Sequence, residues 1–357
     1  MKLNEYVTLG RSGLRVSPLC LGTMTFGTEW GFGSDEATAQ SIFRKYLDGG
    51  GNFVDTADGY TNGKSEEMVG KFIKDTKTRD RVVLATKFTF NGEPGNPNAG
   101  GNGRKNAYRA LEGSLRRLQT DYIDLYWMHA WDKLTPLEEV IATLDTFVQS
   151  GKVRYVGFSD VPAWYIARAQ TLAEQQGRER IAALQLEYSL IERNIEREHI
   201  PAAQELGLAV CPWSPLAGGL LSGKYKREAQ SGPPEGRIAI MKASGNTLFD
   251  RSTEKSLAIV DVLAAVAKQI GRPAAEVALN WVATQPGITS TIIGATKLPQ
   301  LESNLSSLDF AIPAELRARL ENATKLEPTH PYVFFEPTIQ ARIRGNTEIR
   351  PWSRYSF

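Results

Sequence analysis

A (β/α)8 barrel of the TIM type is the fold this sequence predicts, and three observations predict it. Eight short apolar runs recur along the chain, with amphipathic helical patterns between them. The runs are apolar nearly throughout, as in a parallel sheet covered on both faces. The chain has 357 residues, 41% of them hydrophobic, which suits eight βα units in one domain. The runner-up, a doubly wound sheet, favours a glycine-rich nucleotide loop after its first strand. The stretch "GTMTFGTEWGFG" has no G-x-G-x-x-G spacing.

In chain order, "YVTLG" and "LRVS" flank "RSG" and read as a small N-terminal β-hairpin with a glycine turn. The eight strands follow as "PLCLGTM", "NFVDT", "RVVLATK", "YIDLYWMH", "VRYVGFS", "AALQLEY", "LAVCPWS" and "TSTIIGA". Helical patterns include Glu36 to Leu47, Arg104 to Leu118 and Pro136 to Gln149. Pro136 and Pro273 stand where a helix begins, proline's preferred helical position. Three segments exceed the barrel's needs. "NGEPGNPNAGGNGRKN" reads as a long loop after the third strand, and the stretch from Ser222 to about Thr247 contains "SGPPEG". The tail beyond about Lys325 carries Tyr332, Phe334, Phe335, Trp352, Tyr355 and Phe357, too aromatic for a disordered segment. The expected organisation is one barrel domain over residues 1–357, with 326–357 as an appended tail that packs on the body or on a partner.

The formal charge of +2 is nearly balanced, so neither nucleic acid nor an anionic membrane is an expected partner. "MKLNEYVTLGRSG" has no apolar signal-peptide core, and no apolar run is long enough to span a bilayer. Cys20 and Cys211 lie in strand-like runs and read as reduced core residues of a cytoplasmic protein. Three histidines and two scattered cysteines leave little material for a metal site, and none is expected.

In such a barrel the active site lies at the C-terminal ends of the strands. The second strand ends in Asp55 with Tyr60 just beyond, the third in Lys87 and the fourth in His129. Singly, each has a bland reading: a turn cap, a loop aromatic, a strand-end charge, a satisfied core histidine. Together they suggest chemistry. A lysine closing an apolar strand needs a counter-charge, and Asp55 is one strand away. A phenol, with a reference pKa of about 10, is a poor proton donor near neutrality. A nearby ammonium favours its phenolate and lowers that value, while a histidine orients a carbonyl oxygen. Such a tyrosine is a general acid for carbonyl reduction and a general base for alcohol oxidation.

Asp55, Tyr60, Lys87 and His129, in this order and on these strands, resemble the catalytic tetrad of the aldo-keto reductases. The resemblance runs from the hairpin to about Leu308. It is carried by "NFVDTADGYTNGKSEEMVG", "GKVRYVGFSD", "LQLEYSL", "PWSPLAGGLLSGKY" and "IIGATKLPQLESNL". It implies a nicotinamide cofactor held without a Rossmann domain. Ser159 and Gln185, at strand ends, suit the carboxamide, and Trp213 suits stacking on the nicotinamide ring, against the bland reading of a core aromatic. Thr23, Ser214, Pro215, Leu216, Gly218, Leu220 and Lys224 are expected along the cofactor, with the glycine-rich stretch near the pyrophosphate. Gly294, Thr296, Lys297, Gln300 and Asn304 are expected at the adenosine end, where a helix N-terminus follows a glycine. Lys297 toward a 2′-phosphate favours NADP(H); NAD(H) stays open, because this is one cation with no arginine beside it. The family commonly has Ser-Asn after the fifth strand. This chain has Ser159-Asp160, and a carboxylate accepts from the carboxamide but does not donate to it.

Trp30 and Trp131 are expected to line the substrate pocket, with Phe88 and Phe90 as weaker candidates at the start of the third loop. An aromatic pocket suits apolar or aromatic carbonyls, or the flat faces of sugars and polycyclic compounds. Among relatives, the chain looks most like the bacterial and fungal branch that includes aryl-alcohol dehydrogenases. The expected function is NADP(H)-dependent interconversion of small-molecule aldehydes or ketones and alcohols. The alternative is a cofactor-binding regulatory subunit resembling the potassium-channel beta subunits. The chain lacks the long basic N-terminal segment such a role suggests.

Overall fold

The computed structural model describes residues 1–224 and 251–349. The expectations for "SGPPEG" and for Trp352, Tyr355 and Phe357 fall outside them. The chain separates into two compact units, Met1–Thr324 and Lys325–Phe357.

In the first unit, β1 (Val7–Thr8) and β2 (Arg15–Val16) form an antiparallel hairpin. Eight strands follow: β3 (Leu19–Gly22), β4 (Phe53–Asp55), β5 (Val83–Phe88), β6 (Ile123–Met128), β7 (Val153–Ser159), β8 (Ile181–Glu187), β9 (Ala209–Trp213) and β10 (Thr291–Ile293). They pair in parallel in the order β10-β3-β4-β5-β6-β7-β8-β9. Thr289 N donates to Val210 O at 2.9 Å, linking the approach to β10 with β9. The sheet is thus a nearly closed (β/α)8 barrel.

The apolar runs are continuous because each strand buries both faces. In β6, Leu125 and Trp127 join the barrel interior, while Tyr126 and Met128 join the layer beneath the helices. Leu9 and Val16 of the hairpin belong to the interior cluster and stop the barrel's N-terminal end. The hairpin turn comes so close that a Cβ on Gly10 (φ +59°) would sit 2.6 Å from Gly207 O. Glycine alone fits there.

The Arg104–Leu118 helix has the expected limits. Pro136 and Pro273 each sit one residue before the first helical residue, in extended backbone, rather than inside the first turn. The asparagine-rich segment after β5 is a loop, as expected, tied by polar side chains. Asn102 accepts from Thr89 Oγ1 at 2.6 Å and donates to Ala130 O at 2.9 Å. This fastens the loop to the chain leaving β6. In the second unit, the described part holds a short turn, Tyr332–Phe335, and the helix Pro337–Ile343.

Candidate active site

The strand register lines up the polar residues at one end of the barrel. Asp55 pairs with Ala85 and Lys87 with Trp127 across the ladder, while Ser159 pairs with Gln185 and Glu187 with Trp213. Lys87 points inward and is fully buried. Its Nζ forms an ion pair with Asp55 Oδ2, donates to Thr56 O at 2.7 Å and to the Tyr60 hydroxyl at 3.2 Å. Gln185 Nε2 donates to the second Asp55 oxygen at 3.0 Å. Burial acts to discharge the ammonium, but Asp55 and Tyr60 outweigh it and hold the lysine above its ordinary value.

Tyr60 is carried by a strained turn. Thr61 (φ 46°), Asn62 (φ 56°) and Gly63 (φ 90°) follow it, all left-handed. That conformation is an outlier for a β-branched threonine. It is held because Thr61 Oγ1 donates to Phe26 O at 2.8 Å and accepts from Ser65 N at 3.1 Å. The His129 ring lies 5.8 Å from the Tyr60 ring, edge to face. Its Nδ1 is buried without a hydrogen-bond partner. Burial, then the nearby Lys87 charge, holds His129 well below the usual imidazole range, so the ring is neutral. Trp30 stands 6.3 Å from Tyr60 on the loop after β3. That loop closes on itself so tightly that a Cβ on Gly33 (φ +127°) would lie 2.0 Å from Gly27 O.

These groups open into a cleft of about 2070 Å³. Among the residues expected at the cofactor, Ser159, Asp160, Gln185, Trp213, Ser214, Pro215, Leu216, Gly218, Lys224, Gly294, Thr296, Lys297, Gln300 and Asn304 line it. Thr23 and Leu220 do not. Thr23 is buried behind the wall and donates to Asp55 O at 3.0 Å, and Leu220 is in the core. The amides of Ala217, Gly218 and Gly219 are bonded within their own turn, which narrows what the glycine-rich stretch can offer a phosphate. Asn304 donates to Gly294 O at 3.0 Å, and Gln300 Oε1 accepts from Thr296 N at 2.8 Å. Both therefore brace the turn into the Leu298–Ser306 helix. Neither Lys224 nor Lys297 is paired with a carboxylate among the described residues. A long cleft with carboxamide-compatible side chains at one end and uncommitted cations at the other fits a nicotinamide dinucleotide.

On the substrate side, Trp30 and Phe90 line the cleft and Phe88 and Trp131 do not. Lys87 faces inward, so its neighbour Phe88 faces outward and stacks on Tyr126 with ring centroids 5.1 Å apart. The chain leaving β6 presents Ala130 to the cleft, and Trp131 packs on Trp164 and Tyr165, each 5.4 Å away. Phe90 instead lies 4.7 Å from His129. The sequence reading also missed an ion pair at the rim. Arg251 Nη2 donates to Glu187 Oε2 at 2.5 Å.

Asp160 has left-handed backbone (φ 47°), which aspartate and asparagine tolerate. Its carboxylate accepts from Trp213 Nε1 at 3.1 Å and from Ser159 Oγ at 3.2 Å. The residue is open to water, yet the cleft walls surround its carboxyl and push it up to about 6. A raised carboxyl binds more protons folded than unfolded between about pH 4 and pH 6, so stability falls as pH rises through that window. Asp160→Asn removes this term. It is expected to raise the melting temperature at pH 8 and to leave it unchanged at pH 4, as read by thermal unfolding across pH.

Among the described residues, no helix is long and apolar enough to cross a membrane. Residues 18–325 match the model of the aldo/keto reductase family. Curated relatives agree. An uncharacterised oxidoreductase of Bacillus subtilis is 40% identical over 331 residues, covering 89% of this chain and 95% of the relative. An aryl-alcohol dehydrogenase of Pestalotiopsis microspora is 35% identical, covering 95% of this chain and 86% of the relative. A norsolorinic acid reductase of Emericella nidulans is 33% identical with the same coverage. With its barrel, its strand-end residues and these matches together, the chain belongs to the aldo/keto reductase family.

Proposed function

We propose that this protein interconverts aldehydes or ketones and the matching alcohols with NADP(H), and that Tyr60 gives and takes the proton. The observation that carries this reading is the 3.2 Å contact from the buried Lys87 ammonium to the Tyr60 hydroxyl. Asp55 keeps that ammonium charged and Gln185 holds Asp55 in place, so the phenol faces a fixed positive charge in a low-dielectric setting. The charge favours the phenolate, against the burial that disfavours it. Held by Ser159, Gln185 and Trp213, a nicotinamide would supply hydride-transfer chemistry at the carbonyl carbon. Tyr60 then protonates the developing oxyanion, or deprotonates the alcohol in the reverse direction. A neutral His129 orients the oxygen by a hydrogen bond without competing as a cation. Trp30 and Phe90 shape an aromatic entrance. A relative named as an aryl-alcohol dehydrogenase and one named as a norsolorinic acid reductase support aromatic carbonyls and norsolorinic acid as the first compounds to test.

Absorbance at 340 nm with NADPH and a carbonyl panel, repeated with Tyr60→Phe, tests the reading. The cofactor preference has its own test. Lys297 caps the Leu298–Ser306 helix in extended backbone and lines the cleft. A cation beside a 2′-phosphate makes a charge-assisted hydrogen bond worth roughly 1.5–3 kcal/mol. Lys297→Ala is therefore expected to raise Kd for NADPH about tenfold or more and to change Kd for NADH little, by fluorescence titration. Equal losses for both would remove Lys297 from the 2′-phosphate.

A further inference from the structure

The cleft does not end at Trp30 and Phe90. It continues between the Tyr60 turn and the Arg104–Leu118 helix, where Asp58, Asn62, Arg109, Gly113, Arg116 and Arg117 line it. The residues on the helix recur at 109, 113, 116 and 117, which puts them on one face. Gly113 leaves that face low. The charges in this recess are unequal. Arg117 is committed to Glu66, with Nε and Nη2 each 2.7 Å from Oε2. Arg109 binds neutral oxygens alone, Ala99 O at 2.7 Å and Asn106 Oδ1 at 3.0 Å. Arg116 meets no carboxylate among the described residues. Among the described residues, neither Arg109 nor Arg116 makes an ion pair.

A second observation points to a ligand. Asp58 Oδ1 is buried with no hydrogen-bond partner. Burial, with Glu66 adding and Arg117 and Arg109 opposing, pushes this carboxyl up to about 7. In its protonated form it is a donor, so an oxyanion in the recess would meet two guanidinium groups and an acid O–H. A buried polar atom left unpaired is costly, and a bound group that pairs with it removes that cost. Surplus guanidinium forks match a planar carboxylate.

We propose that this recess is a substrate subsite for a carboxylate, so that the enzyme favours carbonyl compounds carrying an acid group at a distance from the reacting carbon. The proposal rests on the oxidoreductase reading above. It adds a specificity determinant, led by Arg116, on the side of the cleft away from the cofactor residues.

The test uses benzaldehydes with a terminal carboxylate on alkoxy tethers of increasing length, each paired with its methyl ester. In the wild type, the ratio of kcat/KM for acid over ester is expected to peak above one at a particular tether length. In Arg116→Gln that ratio is expected to fall about tenfold, the loss of one charge-assisted hydrogen bond. Arg116 is exposed and the substitution leaves the core intact. A ratio of one or below at every length, or a ratio that survives both Arg109→Gln and Arg116→Gln, would overturn the subsite. If no aldehyde is reduced, the oxidoreductase reading fails separately. The same acids titrated calorimetrically into NADPH-saturated protein then still test the recess. Binding that weakens about tenfold in Arg116→Gln supports it, and equal binding overturns it.

Discussion

Tyr60→Phe is expected to lower kcat by about 10²–10⁴-fold, the usual contribution of a positioned general acid. Cofactor affinity should remain within about twofold, since the change removes one oxygen, the one Lys87 Nζ reaches. The ring itself is retained, with its edge contacts to Trp30 and His129. The loss should therefore fall on the chemical step, in both directions of the reaction. Stopped-flow at 340 nm together with a fluorescence titration separates the two effects. Full activity in the variant would end the proton-donor assignment.

Lys87→Met has the second large effect, and it acts on stability as well as turnover. The lysine and Asp55 are buried together, 0% and 2% exposed. Removing one partner leaves the other as an unpaired buried charge, at a cost of roughly 3–5 kcal/mol. Gln185 still donates to Asp55, so the carboxylate retains a hydrogen bond but no counter-charge. Without the ammonium, Tyr60 loses the charge that favours its phenolate. Alcohol oxidation, which needs the phenolate, should then fall more than reduction at neutral pH, and its residual optimum should move to higher pH. Adding Asp55→Leu to Lys87→Met should restore much of the stability, because an apolar replacement of a buried pair is often neutral. It should restore none of the turnover. Chemical denaturation and pH–rate profiles of the single and double variants distinguish lost stability from lost chemistry.

The barrel and its mouth were legible because both follow from strand chemistry. Apolar runs buried on two faces report a parallel sheet, and a polar group closing such a run stands out. Asp55, Lys87 and Gln185 all did so, and the structure brings them within hydrogen-bond reach of one another or of Tyr60. Parity along β5 also held information that composition alone did not. An inward Lys87 requires an outward Phe88, whereas Phe90, of the same parity, lies beyond the strand end where the alternation stops and reaches the cleft. Trp131 shows the opposite limit. Two residues beyond a strand end, its direction is decided by packing on Trp164 and Tyr165, which no local pattern announces. The arginine recess was invisible for the same reason. Arg109 and Arg116 sit on an ordinary amphipathic helix, and only its packing beside the Tyr60 turn makes them part of the cleft. The Asp160 environment is likewise tertiary, since Trp213 comes from β9, 53 positions away in the chain.

The measurement that bears most directly on the central claim is NADPH oxidation at 340 nm over aromatic, aliphatic, sugar-derived and polycyclic carbonyls, with NADPH binding followed by fluorescence in the same preparation. The expected result is saturable binding and turnover of at least one aromatic or polycyclic carbonyl, lost in Tyr60→Phe. Tight NADPH binding without turnover of any carbonyl or matching alcohol would contradict a catalytic role and favour a cofactor-binding regulatory subunit.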